Sequence, residues 1–152
     1  QAFARVRGRI LIPLKSWELR LNQTVAWFTD DGWTETSEMR WSRPLPWAFL
    51  FQSSSRVKWE ENEPNVTPSQ SLSLSKRMTL RDAVRLSTSG VWPATPEVET
   101  AKYNLDTTYR RRLFSYWLFM NLSGGVDWEE IYLYDPNPYV LIRLDIVFEK
   151  QP

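Results

Sequence analysis

From Tyr139 to Glu149 the chain alternates without a break. Val140, Ile142, Leu144, Ile146 and Phe148 fall on one side, and Leu141, Arg143, Asp145, Val147 and Glu149 on the other. A period of two over this length is a half-buried β-strand and excludes an amphipathic helix. Two further strand-like runs precede it, Leu113–Leu122 and Trp128–Tyr134. Ser123-Gly124-Gly125 and Asp135-Pro136-Asn137-Pro138 separate the three runs and read as turns, since Gly frees φ, Pro fixes it, and Asp and Asn bond their own backbone. The last run is expected to be a central strand of a sheet that the rest of the chain completes.

The same alternation opens the chain. Arg5, Arg7 and Arg9 share one side of Phe3–Ile12, opposite Val6, Ile10 and Ile12, and Pro13 marks an edge or a strand end. Trp17, Leu19 and Leu21 continue with period two, and Leu72 and Leu74 alternate with serines in 70–75. Segments 47–51 and 56–59 flank Ser53-Ser54-Ser55 and read as two strands or as a short helix and a strand. The acidic, Pro-bearing segment Glu60–Thr67 is a loop. One helix is expected over Thr79–Thr88: Thr79 caps it, Asp82 lies in its first turn, Leu80, Ala83 and Val84 form its apolar stripe, and Gly90 stops it. Arg77, Arg81 and Arg85 form its basic stripe. About eight strands with Pro-rich turns and one short helix predict an all-β domain, a single eight-stranded jelly-roll β-sandwich over residues 1–152. The first residue is Gln, and a basic arm is expected upstream of Gln1.

Residue usage narrows the chemistry. There is no Cys and no His, so disulfides, thiol nucleophiles, imidazole bases and His/Cys metal sites are excluded. Carboxylates occur as neighbours (Asp30/Asp31, Glu60/Glu61/Glu63, Glu129/Glu130), without sign of a pair facing across a cleft, and no catalytic residue is expected. No apolar run approaches the roughly 18 residues of a membrane helix, and no membrane partner is expected. Nine Trp in an aromatic share of 14% argue for a packed β-domain with adhesive surface. Charge is uneven: basic residues crowd 1–20 and 76–112, while 127–149 is acidic, which suggests opposed faces or self-complementary contacts.

The order of features resembles the shell domain of coat proteins of small icosahedral RNA viruses, of the tombusvirus and sobemovirus kind. Four places carry the resemblance: Arg56-Val57-Lys58-Trp59-Glu60 with Pro64 and Thr67-Pro68 after it; Ser71–Ser75 followed by Arg81-Asp82-Ala83; Arg112–Gly125; and Tyr139–Pro152 with Asp145-Ile146-Val147-Phe148-Glu149. Together they cover about the last two-thirds of the chain. The resemblance implies a jelly roll, self-assembly into a closed shell, packaged viral RNA, and a place in the virion and, during assembly, in the host cytoplasm. At 18.0 kDa the chain is similar to a satellite-type coat protein. No cofactor is expected; relatives of this kind place spaced Asp residues for calcium, and the corresponding region here has Asp82 beside Arg81, which argues against such a site.

Two groups of residues are expected to carry function. Arg5, Arg7 and Arg9, about 6–7 Å apart along one strand face, suit phosphates of an extended RNA, as do Arg110, Arg111 and Arg112. Trp27, Trp33, Trp41 and Trp47 are candidate anchors at a subunit interface. The alternative is a carbohydrate- or ligand-binding β-sandwich module, in which those four indoles form a stacking platform.

Overall fold

A computed structural model describes residues 3–29, 32–61, 66–93, 101–114 and 117–147. The protein is all-β. Nine strands follow one another: β1 (Phe3–Leu14), β2 (Trp17–Phe28), β3 (Gly32–Leu45), β4 (Phe49–Glu60), β5 (Val66–Arg77), β6 (Asp82–Val91), β7 (Lys102–Phe114), β8 (Leu118–Glu129) and β9 (Asn137–Ile146). Single 3-10 turns, Pro46–Ala48 and Glu130–Tyr132, are the only helical pieces among the described residues. All nine strands belong to one antiparallel sheet in the order β1-β2-β3-β4-β5-β6-β7-β8-β9, a meander without crossovers.

Several expectations change here. The segment expected as a helix, Thr79–Thr88, is largely strand β6, which pairs with β5 and β7 along its length. The cap chemistry of Thr79 is real but serves a turn: its Oγ1 accepts from the backbone N–H groups of Arg81 and Asp82, both at 3.1 Å, and donates to the Asp82 carboxylate at 2.6 Å. Beyond that turn Val84 and Leu86 alternate with Ala83, Arg85 and Ser87, and strand pairing on both sides outweighs local helix signals. Segments 47–51 and 56–59 are joined in the single strand β4, which runs through the serines.

Gly124 and Gly125 lie inside β8 rather than in a turn. A Cβ on Gly125 would sit 2.5 Å from the Leu105 carbonyl oxygen and 2.8 Å from the Tyr139 hydroxyl, so the glycine leaves room for the Tyr139 ring. The run 128–134 is strand only to Glu129; Leu133 and Tyr134 then take left-handed backbone, φ 54° and 60°. The closing strand β9 pairs with β8 alone and is an edge, not a central strand, among those described; residues 148 and 149 of its expected run lie outside the described residues. Pro13 does sit on an edge strand, β1, where a missing N–H costs least.

The sheet has no second layer among the described residues. Among them Ala26 is the one buried hydrophobic side chain, whereas Val140, Ile142 and Leu144 are 78%, 67% and 61% exposed.

Candidate functional site

Residues directly opposite each other in an antiparallel pair share a face, so register sorts the side chains of the whole sheet. One face is polar. It carries Arg5, Arg7 and Arg9 of β1, Asn22 and Arg20 of β2, and Glu38 and Arg40 of β3. It continues through Ser54 and Arg56 of β4, Ser69, Ser71, Ser73 and Ser75 of β5, and Arg85, Ser87 and Ser89 of β6. Asn104, Asp106, Thr108 and Arg110 of β7, Asn121, Ser123 and Asp127 of β8, and Arg143 and Asp145 of β9 complete it.

Cross-strand bonds knit this face. Asn22 donates to Glu38 at 3.2 Å, Ser54 to Glu38 at 2.9 Å, Asn104 to Asp127 at 2.6 Å and Asn121 to Asp145 at 2.7 Å. Ion pairs Arg40–Glu38 (2.6 Å), Arg20–Glu18 (2.8 Å) and Arg143–Asp145 (3.0 Å) lie on it too. Ala26, Ser73 and Asn121, the buried residues that carry side chains, all belong to it.

The opposite face is apolar. Its middle is aliphatic on most strands: Ile10, Leu19 and Leu21, then Leu72, Leu74 and Leu86, then Leu105, Val126, Leu122, Val140, Ile142 and Leu144; across β2 to β5 it is interrupted by Gln23, Ser37, Ser53, Ser55 and Gln70. Aromatic rings collect at both ends of the strands. At one end Trp27 stands opposite Trp33, with Trp59, Trp92, Tyr103 and Trp128 along the same rim. At the other end lie Trp17, Trp41, Phe49 and Phe51.

The cations of the apolar face are confined to this second end. Arg43 lies over the Trp17 ring at 4.7 Å, Lys76 over the Phe49 ring at 4.6 Å, and Arg111 approaches Asp82 at 3.8 Å. Five polar side chains within the face bond one another. Gln23 donates to Glu35 at 2.8 Å, Ser55 to Gln70 at 2.8 Å and Gln70 to Ser53 at 3.1 Å.

The two ends also differ in their connections. Those at 15–16, 46–48, 78–81 and 115–117 close the end of Trp17 and Trp41, with two to four residues each. Those at 29–31, 61–65, 92–101 and 130–136 close the end of Trp27 and Trp33, with three to ten. Within 130–136 the Tyr134 hydroxyl is held above its ordinary pKa, first by burial and then by Glu130 and Tyr103.

The expected RNA-binding residues separate. Arg5, Arg7 and Arg9 do share one face, and Arg110 and Arg112 lie on the same face; Arg111 points to the other side. The four expected interface tryptophans do not form one patch. Trp27 and Trp33 belong to one rim; Trp41 belongs to the other, where Trp47 stands 83% exposed. Sequence reasoning missed Trp17, Trp59, Trp92 and Trp128 as members of the rims, and the signal available was their position within a residue or two of each strand end. No group of three or more carboxylates that would hold a metal occurs among the described residues. Comparison with protein-family models, with curated proteins and with solved structures returned no match.

Proposed function

We propose that this chain forms part of the wall of a transmembrane β-barrel, its apolar face against lipid and its polar face lining an aqueous interior. The observation that carries the reading is the register. It divides the side chains of nine strands into a polar face and a mostly apolar one, and it places aromatic rings at both ends of the mostly apolar face. In water that face is untenable. Nine strands at about 4.8 Å spacing and about 40 Å long present on the order of 1,500 Å² of it, against the few hundred Å² a monomer exposes. In a bilayer the same face is stabilising. Strands of 10–14 residues tilted by about 40° cross roughly 30 Å, the thickness of the hydrocarbon core. Trp and Tyr favour the two interfaces, and Arg43 and Lys76 extend their charge to one of them. Short turns at one end and longer loops at the other are the further habit of such barrels. The strands leave no long apolar run because every second residue faces the interior; that no helix of the described residues is long and apolar enough to span a membrane does not bear on strands.

Edges cannot stand open in hydrocarbon, because each unpaired N–H and C=O there costs several kcal/mol. Among the described strands β1 and β9 are unpaired on their outer sides. Nine antiparallel strands leave β1 and β9 pointing the same way, so an antiparallel closure needs an odd number of additional strands between them.

The coat-protein resemblance supplies a second reading, favoured by Arg5, Arg7 and Arg9 sharing a face with Arg56 and Arg110. It requires a second sheet over the apolar face and a jelly-roll crossing of strands, and the sequential strand order weighs against it.

The test is refolding from urea in the presence of phosphatidylcholine vesicles. Membrane insertion is expected to give protease protection of the strands, quenching of Trp fluorescence by brominated acyl chains, and a band on unheated gels that shifts on boiling. A water-soluble particle of discrete mass that carries RNA and leaves vesicles untouched would overturn the membrane reading in favour of the shell.

A further inference from the structure

We propose that the polar face holds an anion site between β6, β7, β8 and β9, built around Arg85 and Arg110, for inorganic phosphate and phosphoryl or carboxylate groups of small solutes. The inference rests on the reading of this face as the inner wall. Two larger troughs mark the face, and a smaller one of about 140 Å³ borders Arg110 on its other side, with Arg77, Arg112 and Asp82. The first, of about 440 Å³, is lined by Arg40, Arg56 and Arg85 over a floor of serines; the second, of about 390 Å³, is lined by Arg85, Arg110 and Arg143 with Ser75, Thr108 and Ser123. Arg85 borders both, so the troughs adjoin.

Charge separates them. Glu38 enters the first, already engaged by Arg40, Ser54 and Asn22. No acid lines the second. The acids two residues along the strands from its lining are engaged elsewhere: Asp106 accepts from the Ser87 hydroxyl at 2.7 Å, and Asp145 is taken by Arg143 at 3.0 Å and by the carboxamide of Asn121 at 2.7 Å. Arg85 and Arg110 therefore stand without a carboxylate among the described residues. Arg110 instead lies over the Phe119 ring at 4.3 Å, which holds the guanidinium in place while leaving its N–H groups free to donate.

Neighbouring hydroxyls complete the donor set. Thr108 and Ser123 face each other at 3.0 Å, so one of the two O–H groups is directed outward for a ligand. Two guanidiniums and a hydroxyl lining one trough from adjacent strands supply the donors by which arginine holds phosphate and carboxylate. Anion-conducting pores use the same device, rows of Arg and Lys that bind weakly enough to release. The first trough, through Arg56, gives such an anion its next position.

The test uses the full chain in detergent micelles, titrated with inorganic phosphate at low ionic strength and followed by the Nε–H resonances of arginine side chains. Saturable shifts are expected, and Arg85→Gln and Arg110→Gln are each expected to weaken binding about tenfold. Arg85→Lys, which keeps the charge but loses the fork, lies between, and Arg5→Gln, on the same face at the far edge, leaves binding unchanged. Shifts that never saturate, or equal losses in Arg5→Gln and Arg85→Gln, would overturn the site and leave a diffuse basic surface. Quenching by brominated lipid, measured on the same variants, reports the membrane reading separately, so a barrel without an anion site and an anion site without a barrel are distinct results.

Discussion

The indole of Trp92 lies over Gly90 and donates its Nε1–H to the Tyr103 hydroxyl at 2.8 Å. The two rings meet edge to face at 5.9 Å, and Tyr134 adds a third ring 5.9 Å from Tyr103. Gly90 is what lets the indole fold back: a Cβ there would stand 2.6 Å from the ring. The cluster joins the end of β6 to the start of β7 and to the segment after β8, so it braces the rim that carries the longer connections.

Trp92→Phe keeps a ring over Gly90 and removes the donor. It is expected to cost about 0.5–1.5 kcal/mol, the net worth of one hydrogen bond. Tyr103→Phe should cost a similar amount, and the double variant little more than either alone, because both remove the same bond. Urea unfolding of the three proteins in vesicles, followed by far-UV circular dichroism, checks this; full additivity would mean that the bond contributes nothing.

Two glycines in strands have opposite surroundings. Around Gly8 nothing lies within 4 Å of an added Cβ, whereas at Gly125 the Cβ would press on the Leu105 carbonyl and the Tyr139 ring. Gly8→Ala is expected to stabilise by about 0.5–1 kcal/mol through the unfolded chain. Gly125→Ala is expected to destabilise by about 1–3 kcal/mol through overpacking. Unfolding midpoints measured side by side decide it, and a stabilising Gly125→Ala would contradict the packing of Tyr139 on β8.

Leu141 and Ile142 are consecutive, aliphatic and exposed, 54% and 67%. They differ in face: Leu141 lies on the polar side with Ser123, and Ile142 on the apolar side with Leu122. In a membrane Ile142→Arg is expected to cost about 2–4 kcal/mol and Leu141→Arg close to nothing. On a sheet with both faces bare to water the two would behave alike. Folding yields and unfolding free energies in vesicles measure the difference, and equal effects would count against lipid contact on the Ile142 side.

Arg43 and Trp17 lie on neighbouring strands at the short-turn rim, the guanidinium 4.7 Å from the ring centroid. Arg43→Ala, Trp17→Ala and their double variant are expected to return a coupling of about 0.5–1 kcal/mol. A coupling of zero would remove the cation–π contact as a support of that rim.

The alternation of Val140, Ile142, Leu144 and Ile146 with Arg143 and Asp145 was decisive for strand and for facing, as was that of Val6, Ile10 and Ile12 with Arg5, Arg7 and Arg9. A period of two survives in any environment, because the pleat forces successive side chains to opposite sides. For the same reason the shared face of the three arginines was legible; Pro13 left an edge and a strand end open, and the strand order decided for the edge. The segment 79–88 was misread because a Thr–Asp turn uses the same local bonds as a helix cap, and because arginines every four residues fit a helix stripe until pairing with β5 and β7 is known.

What alternation does not contain is the neighbour. A strand with one apolar face reads the same whether that face meets a second sheet, another subunit or lipid. The number and order of strands, the edge position of β9, the placing of Trp27 and Trp41 on opposite rims, and the shared trough of Arg85 and Arg110 all depend on register between strands distant in sequence. The sequence by itself determined that the chain is strand-rich and two-faced, since that is a local steric property. Only the tertiary structure decided that all nine strands lie side by side in one layer, because hydrogen bonds between distant segments choose the partners and leave the apolar face uncovered by the described residues.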